Sequence, residues 1–392
     1  MRFFFCFWLI VSLSAISFAQ TGGITGKVTA LDTKAPLGKA SVFLSNATFG
    51  TVTAEDGTFS LNNVKPGQYE LVVSILGYEN FSQSILVSSK PQQLVVEMMP
   101  KPIQMKEIII TTKTDWKKNY ALFLKNFIGT SANAQQCKVI NPQAVRLVYH
   151  KKTQALEAST DEFLVIENKA LGYRVRFLVN QFESSTLTNV IRYQGQVLFE
   201  EMKGSSSQYK KWIKKRQEAY FGSNMHFFRS IINQNLEQQG FVIRRLERKP
   251  NPKRLPEELI RQKINLFSKN NNYDSLDYWN KIASEPKYFQ NLYKEPLKIE
   301  DVVRRTDQPG LFALLFQDYL YVVYTRKHDD KVINDIYRPL TMENHPVSII
   351  ALYEKYALFD LNGVVVTPQS TLYEGDWAED KIAELLPVDY TP

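Results

Sequence analysis

Residues 53–78 read TAEDGTFSLNNVKPGQYELVVSILGY. Glu55-Asp56-Gly57 is a hairpin-turn signal, because glycine takes the positive φ such turns require. Val64-Lys65-Pro66-Gly67 is another: proline presets one φ and glycine frees the next. Between the turns Phe59 and Leu61 point to one face, and Tyr69–Ile75 reads as a central strand that Gly77-Tyr78 breaks. Working outward, Gly23–Leu31 alternates apolar and polar residues and Asp32–Pro36 turns. Ala40–Leu44, Thr51–Thr53, Ser84–Val87 and Leu94–Met98 complete the set. About seven short strands, with turns every 8 to 12 residues or so, predict an all-β sandwich over residues 23–100.

The chain of 392 residues begins MRFFFCFWLIVSLSAISFAQ. Arg2, the apolar run Phe3–Leu13 and the small residues Ser17 and Ala19 form a secretory signal pattern over residues 1–19, with cleavage expected between Ala19 and Gln20. Cys6 lies too early for a lipidation site, and removing the signal leaves Cys137 alone, without a partner for an internal disulfide. No other run approaches about 18 apolar residues, so no transmembrane segment is expected in the mature chain.

The order G-x-V-T, P-L-G-K-A-S-V, T-A-E-D-G-T-F-S-L, V-K-P-G-Q-Y-E-L and L-G-Y resembles the carboxypeptidase-regulatory-like domain. That resemblance implies a transthyretin-like sandwich and a Bacteroidota source, where the module precedes starch-utilisation-type TonB-dependent transporters. Met105–Thr111 is similar to the segment that follows the module there. In metallocarboxypeptidases the module is accessory and carries no catalytic zinc, so the resemblance implies no peptidase activity.

Residues 101–114 read as a linker, and a transporter's glycine-rich plug does not follow. Instead Trp116, Tyr120, Phe123 and Phe127 recur at helical spacing between a Thr114/Asp115 cap and Gly129. Runs at Ala144–Tyr149, Phe163–Glu167, Tyr173–Phe182 and Asn189–Phe199 predict a one-sided antiparallel meander. Helices are expected at Gln208–Tyr220, Met225–Gln238, Glu257–Phe267, Ser275–Ala283 and Trp377–Leu385. Strands are expected at Phe241–Leu246, Phe312–Thr325, Val347–Tyr353 and Ala357–Asp360, the last joined through Asn362-Gly363 to Val364–Val366. Arg248–Pro256 reads as a loop, with three prolines. Residues 115–392 are thus expected to form a C-terminal α+β domain with a largely antiparallel sheet. Its opening, with I-E-N-K-A-L-G-Y-R-V and R-Q-E-A-Y-F-G-S, resembles a family of exported Bacteroidota proteins that joins this region to the same sandwich.

Catalytic patterns are scarce. The four histidines, His150, His226, His328 and His345, show no H-E-x-x-H, and none has Glu three residues on. No G-x-S-x-G, P-loop, G-x-G-x-x-G or Ca-binding loop occurs. Ser207–Lys210 and Ser284–Lys287 match S-x-x-K without the companion K-T-G. The carboxylates Asp161-Glu162, Asp376 and Glu379-Asp380 have no separation readable from sequence, so no glycosidase assignment follows. No catalytic, cofactor-binding or metal residue is assigned, and no cofactor is expected.

The net charge of +8 is uneven: residues 200–261 hold fourteen Lys/Arg against seven Asp/Glu, whereas residues 21–112 hold seven of each. In an exported protein that excess points to an envelope protein, an acidic glycan or an anionic membrane surface, not to nucleic acid. The reading favoured is an exported protein of the periplasm or outer-membrane face with a non-catalytic binding or assembly role. The alternatives are an envelope hydrolase with its site in the second domain and a glycan-binding module.

Overall fold

The computed structural model describes residues 22–101, 113–329 and 343–392. The Ala19/Gln20 cleavage site and the Met105–Thr111 segment lie outside the described residues. The chain divides into two compact units, one of residues 22–43 and 49–101, the other of residues 44–48 and 102–392.

The first unit is the expected seven-stranded sandwich. Its strands are β1 (Gly22–Ala30), β2 (Ser41–Leu44), β3 (Gly50–Val52), β4 (Thr58–Val64), β5 (Gly67–Ser74), β6 (Phe81–Val87) and β7 (Gln92–Met98). One sheet runs β4-β1-β7 and the other β3-β2-β5-β6. The pair β1–β7 is parallel, and β1–β4, β2–β3 and β5–β6 are antiparallel. Alternation decides the core: Ile24 and Val28 from β1, Phe59 and Leu61 from β4 and Leu71 and Val73 from β5 are buried. At the opening turn, Gly57 has φ +78, and the Asp56 carboxylate accepts from the Thr58 amide and hydroxyl. Those bonds hold its pKa below the usual carboxylate value.

The second unit opens with helix α1 (Lys113–Phe127). Its aromatic stripe packs as expected: Trp116 stacks on Tyr120, while Phe123 and Phe127 are fully buried against Phe182 and Phe177. The supporting sheet contains β8 (Cys137–Val139), β9 (Val145–His150), β10 (Ala155–Thr160), β11 (Leu164–Asn168), β12 (Tyr173–Ser185) and β13 (Val190–Glu201). It is antiparallel throughout, in the order β8-β11-β12-β10-β9 with β13 also on β12. Tyr173, Val175, Phe177 and Val179 face its core, with Arg174 and Arg176 opposite.

Helices α2 (Ser206–Tyr220) and α3 (Asn224–Ile232) follow, then β14 (Phe241–Pro250). The helical hairpin α4 (Glu257–Lys269) and α5 (Tyr273–Ser284) leads to β15 (Tyr288–Pro296). A one-turn helix α6 (Ile299–Val302) precedes β16 (Val303–Arg305), β17 (Leu311–Leu314) and β18 (Tyr319–Tyr324). The chain continues through β19 (Val347–Leu352), β20 (Ala357–Asp360), β21 (Thr371–Gly375) and helix α7 (Asp376–Glu379). These strands make a five-stranded antiparallel sheet, β15-β14-β18-β19-β21, and a three-stranded one, β16-β17-β20. Helix α3 buries Phe227, Phe228 and Ile231 in a core with Phe241, Leu320, Ile350 and Phe359. The α+β class with largely antiparallel sheets is as expected.

Several local expectations are corrected. No strand is expected from the sequence at β8, β10, β15, β16 or β21. Helix α3 stops at Ile232, and Gln234 takes φ +56, a value incompatible with continuing the helix to Gln238. Strand β14 runs on through Arg248 to Pro250, inside the stretch expected to be a loop. The single strand expected at Phe312–Thr325 is two, β17 and β18, in different sheets. The closing helix is one turn of α-helix and a 3-10 turn at Ile382–Glu384. No helix among the described residues is long and apolar enough to cross a membrane, which says nothing of a β-barrel.

Candidate functional site

Each histidine has a structural occupation or an exposed position. His226 is buried on α3. The Gly222 amide donates to its Nδ1 at 3.1 Å, and its Nε2 lies 3.1 Å from Gln239 Oε1. Rings of Tyr220, Phe221, Phe241 and Tyr324 surround it, and burial lowers its pKa. Exposed His150 pairs with Glu157 between β9 and β10, His345 contacts the Lys327 carbonyl and Glu343, and His328 is exposed.

Ser207 and Lys210 stand exposed at the start of α2, while Ser284 donates to the Lys281 carbonyl at 2.7 Å and Lys287 pairs with Glu257. Asp161 and Glu162 form an exposed turn between β10 and β11. Asp380 is partly buried near Asp376 and Glu384; burial and those two carboxylates push its pKa up to about 8. Cys137 donates to the Asn133 carbonyl at 3.5 Å, and burial pushes its thiol up to about 12. Among the described residues no group of three His, Cys, Asp or Glu side chains could hold a metal ion.

Two surface features of the second unit have shape or exposure suited to a ligand. The first is a cleft of about 420 Å³ lined by Tyr173, Glu201, Ile213, Arg216, Asp389 and Tyr390, among others, with no histidine. The Arg216 guanidinium donates to the Leu171 carbonyl and to Glu201, both at 2.8 Å, and lies over the Tyr173 ring. Asp389 accepts from the Thr48 amide at 2.9 Å and hydroxyl at 2.5 Å. Arg229 fixes the cleft's far wall by donating to the carbonyls of Val388 and Tyr390. Arg216 and Glu201 are therefore committed to each other, and Asp389 to Thr48.

The second is β15, at one end of the five-stranded sheet and paired on one side only, to β14, among the described strands. Its nine residues are mostly exposed, including Tyr288 (37%), Phe289 (53%) and Tyr293 (38%). Arg245 lies 4.7 Å from the Tyr293 ring centroid and is held by Asp318 at 2.7 Å. Arg248 lies over Tyr319 and makes two bonds, of 2.8 and 2.9 Å, to Glu374. Sequence reasoning missed β15 because neither face is buried enough to impose alternation; the cluster Tyr288-Phe289…Tyr293 was its one visible signal.

Residues 24–110 match the model of the CarboxypepD_reg-like domain, in agreement with the resemblance carried by the turn motifs. No curated protein matches the chain. Among solved structures, a mutant type II cohesin–X-dockerin complex from Acetivibrio cellulolyticus aligns at 18% identity over 20% of this chain and 56% of its own, with a TM-score of 0.18. A protein of Bacteroides uniformis, provisionally described as carbohydrate-binding, aligns at 8% identity over 46% of this chain and 99% of its own, with a TM-score of 0.18. A DUF3823 family protein from Bacteroides ovatus aligns at 13% identity, covering 47% of this chain and 82% of its own, with a TM-score of 0.17. The chain spans 41–58% of the first three structures it matches. At these TM-scores the likenesses carry no functional argument.

Proposed function

We propose that this is an exported protein of a Bacteroidota cell envelope, cleaved between Ala19 and Gln20, with a non-catalytic binding role. The sandwich is its accessory module, and the second unit carries the binding surface. The observation that carries the reading is β15: a nine-residue edge strand, unpaired on its outer side among the described strands, with exposed aromatic rings. Long open edges are normally blunted or covered, because their free N–H and C=O groups recruit another strand. Strand addition by an extended segment of an envelope protein would satisfy those groups, with Phe289 and Tyr293 supplying side-chain contacts.

The test is a pull-down from envelope extract at moderate salt with the wild type and with Asn291→Pro, which interrupts the strand. Recovery of a specific partner by the wild type alone supports the reading. Recovery of none, or equal recovery by both, overturns it.

The glycan-binding alternative keeps one specific support. Phe289 and Tyr293 are four residues apart, hence about 13 Å along the strand, a spacing at which two rings can stack on separated sugars of one chain. A glycan array without hits that depend on both rings would end that reading.

A further inference from the structure

The basic excess of residues 200–261 does not form one diffuse surface. Six of the segment's arginines are occupied inside the second unit. Arg216 pairs with Glu201, Arg245 with Asp318 and Arg248 with Glu374. Arg254 and Arg261 share Glu257, and Arg229 donates to the carbonyls of Asn362, Val388 and Tyr390. The seventh, Arg244, is half-buried on β14, and four of the segment's seven lysines stand on one helix, α2: Lys210, Lys211, Lys214 and Lys215.

At 100° per residue those four cover an arc of about 140° and about 8 Å of helix length. The opposite side is the line Trp212, Arg216 and Tyr220, by which α2 is buried. Glu218 is the one carboxylate on the lysine face, 2.6 Å from Lys215 and 4.0 Å from Lys214. No carboxylate among the described residues pairs with Lys210 or Lys211. Ile213 (54% exposed) lies about 60° round the helix from Lys210, and Phe221 (41%) follows the last turn. The N-terminus of α2 is closed by its own capping box, Ser205 and Gln208, so the charge is carried by side chains.

We infer that the lysine face of α2 is a docking surface for anionic phospholipid headgroups. Lysine fits that occupant better than a structured acidic protein. Its ammonium is a mobile point charge without the planar fork that reads a fixed carboxylate geometry, and headgroups in a fluid bilayer offer no fixed geometry. The exposed Ile213 and Phe221 add apolar contact at the headgroup boundary, which an acidic polysaccharide would leave unused. The surface differs from the β15 edge, and its test uses purified lipid, so the two readings stand or fall separately.

The experiment is co-sedimentation of the full chain with phosphatidylcholine vesicles, with and without phosphatidylglycerol, across a salt series. Zwitterionic vesicles report any contribution from the apolar leader. Expected are binding that needs phosphatidylglycerol and its loss toward 1 M salt, where screening shortens to about 3 Å. Each lysine removed should weaken binding about fivefold, so Lys210→Gln/Lys211→Gln should cost about 25-fold and the quadruple Gln variant about 600-fold. Glutamine keeps the helix propensity, and the double variant serves if the quadruple one unfolds. The control replaces Lys117, Lys118, Lys125 and Lys138, exposed elsewhere in the unit, by glutamine and should retain binding. The inference is overturned by no binding to phosphatidylglycerol vesicles or by equal loss in the control. Polygalacturonate binding as tightly, with the same dependence on the lysines, also overturns it.

Discussion

The Arg216 guanidinium carbon lies 3.9 Å from the centroid of the Tyr173 ring, joining helix α2 to the first residue of β12. The guanidinium also donates to Glu201 and to the carbonyls of Leu171 and Gly172, and its side chain is about one-tenth exposed. Replacing Arg216 by Ala leaves those carbonyls without their donor and strips the ring face. The expected loss is about 3 kcal/mol, read from urea unfolding midpoints at unchanged slope. Arg216→Lys should recover under half of it, because an ammonium cannot serve the same acceptors from one plane.

Phe127 is fully buried, with ring centroids of Phe123, Phe177, Phe182 and Tyr193 within 4.8 to 5.9 Å. Phe127→Ala should destabilise the second unit by about 3–5 kcal/mol through lost burial and an unfilled cavity. Phe127→Leu should cost less than half as much in the same unfolding assay.

Gly172 takes φ +71, and a Cβ there would run into the Trp212 indole. Trp212 is itself held by its Nε1 donating to the Lys169 carbonyl at 2.9 Å, so it has little freedom to retreat. Gly172→Ala should cost about 2–4 kcal/mol, combining backbone strain with overpacking, and should shift Trp212 fluorescence.

Burial lowers the pKa of His226, so the unfolded chain binds its proton at a pH where the folded chain does not. Its contribution to stability is full above the unfolded value of about 6.5 and falls as pH drops below that, by at most about 1.4 kcal/mol per pH unit. Comparing urea midpoints of wild type and His226→Gln from pH 7.5 to 5 should show the slope in the wild type and a flatter line in the variant.

Asp380 has the opposite sign. Its folded pKa is raised to about 8, so the folded chain holds the proton more tightly, and stability falls as pH rises from about 4 to 8. Asp380→Asn should remove that decline and leave the variant about 1 kcal/mol or more stabler than wild type at pH 8. Coincident midpoint curves for the two proteins across this range would exclude it.

The sandwich was legible because its determinants are local. Asp56-Gly57 and Pro66-Gly67 set turns within a few residues, and alternation on β1, β4 and β5 marks the buried face. The stripe on α1 was legible for the same reason, since a helix repeats within its own length. Strand β10 was not. Ala155-Leu-Glu-Ala158 is rich in good helix formers, and it becomes a strand because β9 and β12 pair with it on either side. The candidate sites show the same limit: β15 carries no periodic signal, and its identity as an edge depends on pairing with β14, whose nearest partner residue lies 38 positions earlier, and on the order of the other strands.

By itself the sequence determined the sandwich, the helix-led α+β second unit and the size of the basic excess. Only the tertiary structure decided where that excess is available. Arg245 meets Asp318 and Arg248 meets Glu374 across 73 and 126 residues of chain, contacts that strand pairing creates and no local pattern encodes. An ion pair neutralises charge only when folding brings its partners together. Six of the seven arginines of residues 200–261 are therefore spent within the fold, and the lysines of α2 remain to face solvent.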